Sequence, residues 1–113
     1  MSPDDRVRVN HMVDAIEAAT RFLTGRSRQD LQSDLLLQFA LVRAVEIVGE
    51  AASKVSEASR NELSAVPWSR IVGMRNRVVH AYFDVDLNIL WDTLTQALPP
   101  LRVQLKAGLD SSS

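Results

Sequence analysis

The sequence predicts an all-α protein, a mostly antiparallel bundle of four or five helices, and three observations indicate this class. Apolar residues recur at three- and four-residue steps along most of the chain, which is the spacing of one helix face. Capping residues or prolines stand where these apolar stripes begin. No stretch alternates apolar and polar residues as a half-buried strand does. At 113 residues the chain is long enough for one core. We expect a single helical domain over residues 1–110 and a disordered tail over 111–113.

The first helix is predicted to begin at Ser2-Pro3-Asp4-Asp5 and to end at Gly25. A capping hydroxyl, a proline in the first turn and two acids near the positive end of the helix dipole are typical of a helix start. Glycine is typical of a helix end. The stripe between them contains six apolar residues: Val9, Met12, Val13, Ile16, Ala19 and Leu23.

The second helix, predicted from about Asp30 to Glu57, is apolar over most of its circumference. One regular seam consists of Leu37, Leu41, Ala44, Val48, Ala51 and Val55. A second set lies off that seam: Leu35, Leu36, Phe39, Val42, Val45 and Ile47. Such a helix must bury more than one face. A chain this short offers few internal partners, so we expect a symmetric homodimer.

The polar residues of this helix form a narrow strip of Arg43, Glu46 and Glu50. Ion pairing at the solvent-facing side is the favoured interpretation, and a catalytic role is the alternative. Gly49 costs about 1 kcal/mol relative to alanine inside a helix, and close approach of another helix would explain it. Gly73 raises the same question in the next helix.

The second half of the chain predicts two further helices. After a break at Ser59-Arg60-Asn61, Pro67 precedes a third helix starting at about Trp68, with an inner face of Trp68, Ile71, Val72, Val78 and Val79. Asp84 and Asp86 are suitable caps for a fourth helix, whose inward residues are Leu87, Leu90, Trp91, Leu94 and Leu98. Pro99 and Pro100 are expected to interrupt it as a kink, and order is expected to end near Gly108.

Composition excludes several classes of protein. The chain contains no cysteine, which excludes disulfides, thiolate metal sites and a cysteine nucleophile. The acidic N-terminus is unlike a signal peptide, and no apolar run approaches the ~20 residues of a membrane span. We therefore expect a soluble cytoplasmic protein without membrane contact. The net charge of −1 provides no global basic field. However, Arg70, Arg75 and Arg77 fall in an acid-free stretch between Glu62 and Asp84, a cationic island suited to one or a few phosphates.

The segment from Arg75 to Tyr82 combines the groups that cleave a phosphodiester without a metal or cofactor. Arginine matches phosphate geometry, and histidine can accept and donate a proton near neutral pH. We expect His80 to take the proton of a ribose 2′-hydroxyl and Arg75 to stabilise the transition state, with Asn76 in support. Arg70 and Arg77 are expected to bind RNA phosphates. A helix end whose arginine and histidine simply face water is the alternative.

Helical geometry adds a requirement to the catalytic interpretation. Asn76 and His80 would share one helix face at a spacing of four residues. Arg75 and His80 would lie about 140° apart around an ideal helix. One copy of the motif therefore does not converge on a single phosphate, whereas two copies facing each other across a symmetric dimer could. Among the other candidates, His11 is expected on the solvent side of the first helix, and Trp68 and Trp91 are expected as core anchors.

The motif and its surroundings resemble the HepT-like toxins of the HEPN superfamily. The similarity includes Arg75, His80 and Tyr82, the preceding Pro67-Trp68, the following Phe83-Asp84-Val85-Asp86 and the second-helix segment Glu46-Ile47-Val48-Gly49-Glu50-Ala51, and it extends over about residues 5–107. The resemblance implies a helical homodimer that acts as a metal-independent ribonuclease, with Arg75 and His80 catalytic. It also implies a partner, a minimal MntA-like nucleotidyltransferase antitoxin that transfers AMP from ATP to the motif tyrosine, here Tyr82.

Two other functions remain open at this stage. The chain could be a non-catalytic subunit that binds a nucleotide or docks a nucleotidyltransferase, with Arg75 and Arg77 holding phosphate. It could also be a purely structural dimeric bundle with the motif on its surface. The absence of acids around three arginines makes the structural interpretation the weakest of the three.

Overall fold

The computed structural model describes residues 1–81 and 84–111, and its predominantly helical architecture confirms the all-α class. The first half contains helices α1 (Pro3–Leu23), α2 (Arg28–Ser33), α3 (Leu35–Ser53) and α4 (Glu57–Glu62). The second half contains α5 (Trp68–Val72), α6 (Met74–Val78), strands β1 (Val79–Ala81) and β2 (Asp84–Val85), α7 (Leu87–Asp92), a π-helical turn (Thr93–Ala97) and α8 (Leu98–Ser111).

The core lies between α1 and α3, which pack along each other, and α8 closes it against α1. Helix α1 begins as predicted, because the Ser2 hydroxyl accepts a hydrogen bond from the Asp5 amide at 3.1 Å. The predicted seam from Leu37 to Val55 is buried along its whole length, and all of it except Val55, which follows the end of the helix, lies on α3. Of the residues outside that seam, Val45 is buried, whereas Leu35, Leu36 and Phe39 are exposed on this chain.

The predicted helix from Asp30 to Glu57 is wrong in its bounds, because the chain breaks at Asp34. Asp34 is extended, and its carboxylate accepts a hydrogen bond from the Leu37 amide at 3.1 Å, so it caps α3. The predicted break at Ser59-Arg60-Asn61 is also wrong, since these residues lie inside α4. The actual break follows Ser53, and the Ser56 hydroxyl caps α4. Short polar caps determined both bounds, although apolar periodicity suggested otherwise.

Gly49 marks a close approach of α3 to α5, as its position in the sequence predicts. A β-carbon at this residue would lie 3.3 Å from the Ile71 carbonyl oxygen, which is tighter than ordinary contact. Gly73 has a different environment, because a β-carbon there would lie nearest to the Ser69 carbonyl oxygen of its own preceding turn. Gly49 therefore sets the distance at which α5 lies on α3, and through it the position of α6.

A short antiparallel ribbon of β1 and β2 follows α6, and no such element is predicted from the sequence. Val79 pairs with Val85 and Ala81 with Asp84. The Asp86 amide donates to the Val78 carbonyl oxygen at 2.8 Å, which closes the ribbon at the start of α7. The Asp86 side chain caps α7, as predicted. Because the ribbon is only a few residues long, it does not change the helical class.

Pro99 and Pro100 do not break the last helix but occupy its second and third positions. The interruption occurs immediately before them, as the π-helical turn in which the Leu98 amide donates to the Thr93 carbonyl oxygen. Helix α8 continues to Ser111, three residues beyond Gly108, which is buried against Leu63. Ser111, the first residue of the predicted tail, is the last residue of α8, and residues 112–113 of that tail lie outside the described residues. Within the described ranges, no helix combines the length and apolarity needed to cross a membrane.

Asp5 is a buried carboxylate that fastens the start of α1 to the start of α4. It accepts hydrogen bonds from the Ser56 amide at 3.0 Å, from the Ser59 hydroxyl at 2.6 Å and from the Ser56 hydroxyl. These hydrogen bonds lower the pKa of Asp5 from 3.8 to about 2. The largest effect is that of the Ser56 hydroxyl, followed by the Ser59 hydroxyl and the Ser56 amide. These donors stabilise the ionised form more than burial disfavours it.

Replacing Asp5 by Asn is expected to lower the free energy of unfolding at pH 7 by about 2 kcal/mol, because it removes charge-assisted hydrogen bonds from a buried site. A carboxylate whose pKa is lowered by folding stabilises the native state above its unfolded pKa. Wild type should therefore lose this advantage as the pH falls from about 4 to about 2. Urea unfolding followed by circular dichroism across this range measures it. Asp4→Asn, on the exposed side of the same turn, is the matched control. An equal loss of unfolding free energy in both variants would contradict the stabilising role of the hydrogen bonds between Asp5 and α4.

Candidate functional site

Helices α5 and α6 hold the arginines of the cationic island on the surface. The Trp68 indole donates from Nε1 to the carbonyl oxygens of Arg60 at 3.2 Å and Leu63 at 3.1 Å, which confirms Trp68 as a core anchor. Gly73, in a right-handed conformation, joins the two helices. Their inward side consists of Trp68, Ile71, Met74 and Val78. Val72, predicted on this inner face, is 38% exposed. The arginines occupy positions between these buried residues, so their side chains point away from the core.

Arg75 and Asn76 lie on one side of α6, in a shallow groove of about 170 Å³ between α6 and α3. Arg75 is fixed there by an ion pair, in which its Nε donates to Glu46 Oε2 at 3.2 Å. No other hydrogen bond joins this guanidinium to a described residue. Its side chain is 51% exposed. The two terminal nitrogens of Arg75 are therefore available to an anion in the groove.

Glu46 has a different partner from the one that the helical strip suggests. Arg43 pairs with Glu50 at 3.3 Å, which agrees with the favoured interpretation for that pair, and Glu50 also lines the groove that holds Arg75. Glu46, on α3, instead forms an ion pair with Arg75, the predicted catalytic arginine, on α6. A carboxylate that contacts only Nε orients a guanidinium while leaving its outer edge free for phosphate. The sequence gives no signal for this contact, because the two residues are 29 positions apart.

Arg70 and Arg77 lie on the opposite side of α5 and α6 from Arg75. They line a larger groove of about 380 Å³, whose other wall is formed by the π-helical turn and α8. Arg77 donates from one terminal nitrogen to the Arg70 carbonyl oxygen at 3.0 Å. The structure thus divides the island into two sites, one with Arg75 and Asn76 and the other with Arg70 and Arg77.

His80 does not extend the helix that carries Arg75, so the predicted helical relation between Asn76 and His80 is wrong. Helix α6 ends at Val78, Val79 is extended, and the backbone of His80 belongs to β1. Two consecutive β-branched valines favour extended backbone at this point. The angle of about 140° between Arg75 and His80, derived for an ideal helix, therefore does not apply. The position of the imidazole and all of Tyr82 lie outside the described residues.

The structure describes the surroundings of two other candidates from the sequence, His11 and Trp91. His11 is exposed on α1, as predicted. Trp91 is partly buried against the core, and the Arg28 guanidinium lies 5.9 Å from its ring centroid. This arrangement agrees with an anchoring role for Trp91. Among the residues whose surroundings the structure describes, no three acidic or histidine side chains are grouped closely enough to hold a metal ion.

The sequence can also be compared with those of known proteins. A protein-family model described as ribonuclease HepT-like matches residues 12–107. A candidate RNase of Caldanaerobacter subterraneus subsp. tengcongensis is 36% identical over 101 residues, which cover 89% of this chain and 90% of that protein. A probable ribonuclease HepT of Thermococcus cleftensis is 34% identical over 91 residues, covering 80% and 83% of the two chains. No solved structure matches the chain.

Proposed function

Because the chain belongs to the HepT-like ribonuclease family, we propose that it is a metal-independent endoribonuclease, the toxin of a cytoplasmic toxin–antitoxin pair. The observation that carries this proposal is the presentation of Arg75. Its guanidinium is oriented by an ion pair with Glu46, remains half exposed, and lies in a groove with Asn76. Arg75 precedes His80 by five residues in the chain. Such a group is suited to stabilise negative charge that develops on a phosphate during cleavage.

The reaction that these residues support is transfer within the RNA itself. His80 takes the proton of a ribose 2′-hydroxyl, and the 2′-oxygen attacks the adjacent phosphorus. The bond to the 5′-oxygen breaks, and a protonated histidine, from the same chain or its partner, donates a proton to that leaving oxygen. The products are a 2′,3′-cyclic phosphate and a 5′-hydroxyl. Arg75 stabilises the charge of the pentacoordinate transition state.

We propose that the working unit is a homodimer that forms through an exposed apolar patch of Phe22, Leu35, Leu36 and Phe39. Three of these side chains are 52% to 79% exposed, and Phe22 is 44% exposed, which is unusual for large apolar residues so close together. Phe22 and Leu36 line one shallow cavity with Ala40. The exposed side of α3 continues from this patch to Glu46, so a partner chain seated on it would lie along the Arg75 groove.

The antitoxin in this proposal is a minimal nucleotidyltransferase that adenylylates Tyr82. An added AMP brings negative charge and bulk close to His80 in the chain, and both would oppose RNA binding. Mass spectrometry after incubation with the nucleotidyltransferase and ATP should detect a gain of one or more AMP units on a peptide containing Tyr82. An unmodified peptide under conditions in which the antitoxin still suppresses cleavage would contradict this regulation.

Cleavage of a labelled RNA oligonucleotide in EDTA tests the central proposal. The purified protein is expected to cut the RNA and to leave a 2′,3′-cyclic phosphate, because the proposed route uses only protein groups and the ribose 2′-hydroxyl. The same oligonucleotide with a single 2′-deoxynucleotide at the cut site is the matched control and should remain intact there. Cleavage that requires added Mg²⁺ would contradict metal independence. Stable binding without any cleavage would favour the non-catalytic nucleotide-binding subunit instead.

A further inference from the structure

The groove between α5–α6 and α8 has the chemistry of a nucleotide site, although it lies away from Arg75. The side chains of Ile71, Met74 and Leu101 lie beneath it and are almost fully buried, and the apolar surface that it exposes comes from Ala65, Pro67, Ala97 and Pro100. Its rim is polar and carries Arg70, Arg77 and the amide side chains of Gln96 and Gln104. A base can pack against the exposed proline rings of this groove while the phosphate reaches the cations at the rim.

Charge favours an anion at this rim. No carboxylate of the described residues forms an ion pair with Arg70 or Arg77, and no acidic residue lines the groove. Arg77 is also held in place by its hydrogen bond to the Arg70 carbonyl oxygen at 3.0 Å. A guanidinium fixed in this way loses less conformational entropy when it binds phosphate. Both cations are therefore positioned at one end of the groove without a compensating charge.

The opposite wall supplies the glutamine amides, and a backbone carbonyl without a helical donor precedes one of them in the chain. The Thr95 carbonyl oxygen would receive its helical hydrogen bond from the residue four or five positions ahead, but these positions are Pro99 and Pro100, which have no N–H. This carbonyl therefore has no helical donor of either type and remains an acceptor for another group. It precedes Gln96, which lines the groove. Irregular π turns of this kind occur frequently at functional sites.

We propose that this groove binds one nucleotide of the same single-stranded RNA whose scissile phosphodiester is held at Arg75. This inference rests on the proposed ribonuclease function and extends it to substrate recognition. Arg70 and Arg77 contact the phosphate, the base packs against the exposed rings of Pro67 and Pro100, and Gln96 contacts the edge of the base. The two grooves are separated only by α5 and α6, and one helix is about 10 Å across with its side chains. A single strand that crosses these short helices can occupy both grooves, whereas a rigid duplex cannot.

Binding of a short 2′-O-methyl oligoribonucleotide, followed by fluorescence anisotropy at several salt concentrations, tests the groove without any cleavage. The double variant Arg70→Ala/Arg77→Ala is expected to bind about tenfold more weakly, with a salt slope smaller by about 0.7, since the two arginines contact one phosphate and each phosphate contact on a single strand contributes about 0.7. Gln96→Glu, which adds an anion at the exposed rim, should also weaken binding. Arg21→Ala removes an exposed arginine from the end of α1, and this control should bind like wild type.

The outcomes separate this inference from the ribonuclease proposal. Unchanged affinity and salt slope in the double variant, or no binding by wild type, would overturn the groove assignment even if RNA is cut. Failure of wild type to cut RNA would overturn the ribonuclease proposal alone if the double variant still loses affinity. Free AMP is the second probe, and it is expected to bind far more weakly than the oligonucleotide. Equal affinities would show that the ligand is a mononucleotide and would overturn the assignment to RNA.

Discussion

Replacement of His80 by Ala is expected to reduce RNA cleavage in EDTA by a factor of at least about 10³. A single general acid or base contributes about 10²–10⁴ to a rate, and in the proposed reaction histidine provides both functions. The quantity to measure is the single-turnover rate for a labelled oligonucleotide that saturates the protein, so that weaker binding does not imitate a slower reaction. Binding of the uncleavable 2′-O-methyl oligonucleotide should change little, because His80 acts on protons rather than on the phosphate charge.

His11→Ala provides the matched control for this experiment, since His11 is the other histidine of the chain and lies exposed on α1. It should cut RNA at the wild-type rate. Far-ultraviolet circular dichroism and the melting temperature should be the same for both variants and wild type, which excludes unfolding as the cause of lost activity. Undiminished cleavage by His80→Ala would remove His80 from the reaction and would leave the ribonuclease without its proposed base.

The second large effect is expected from Leu36→Asp, which should convert the proposed dimer to a monomer and reduce cleavage by about 100-fold or more. Leu36 is 79% exposed on the isolated chain, so the substitution should not affect the core of the monomer. In a dimer the same aspartate would be buried without a partner, which costs several kcal/mol, and about 2.7 kcal/mol corresponds to a factor of 100. Sedimentation velocity gives the mass of each species, and the rate of cleavage is measured at the same protein concentrations.

Val7→Asp is the control for that substitution, because Val7 is another exposed apolar residue, 48% accessible, on α1 outside the patch. This variant should sediment and cut RNA like wild type. A Leu36→Asp protein that remains dimeric would place the interface elsewhere. A monomeric Leu36→Asp protein with full activity would contradict the proposal that two chains build the catalytic site together.

The sequence was most informative where local chemistry determines the structure. Ser2 and the first-turn acids fix the start of α1, and Gly25, with a φ of 76°, follows its end in the conformation that glycine adopts readily. The predicted seam from Leu37 on α3 to Val55, just beyond the end of that helix, is buried as its spacing predicts. These features depend on residues close together in the chain, so pattern and propensity are sufficient to identify them.

The site was less predictable, because it depends on contacts between distant segments. The ion pair of Arg75 with Glu46 joins α6 to α3, and no periodicity within either helix indicates it. The large groove brings residues 65–77 together with residues 96–104, so its composition becomes visible only after folding. The end of α6 was also missed. Val78 and Val79 suit both a helix interior and a strand, and the pairing of Val79 with Val85 decided between these conformations.

Helix α6 consists of only five residues, and it lies between the two grooves. Met74 and Arg77 line one groove, whereas Arg75 and Asn76 line the other. A small rotation of α6 would widen one groove and narrow the other. A displacement of α6 would therefore change the width of both grooves at once, without any group having to fill either of them.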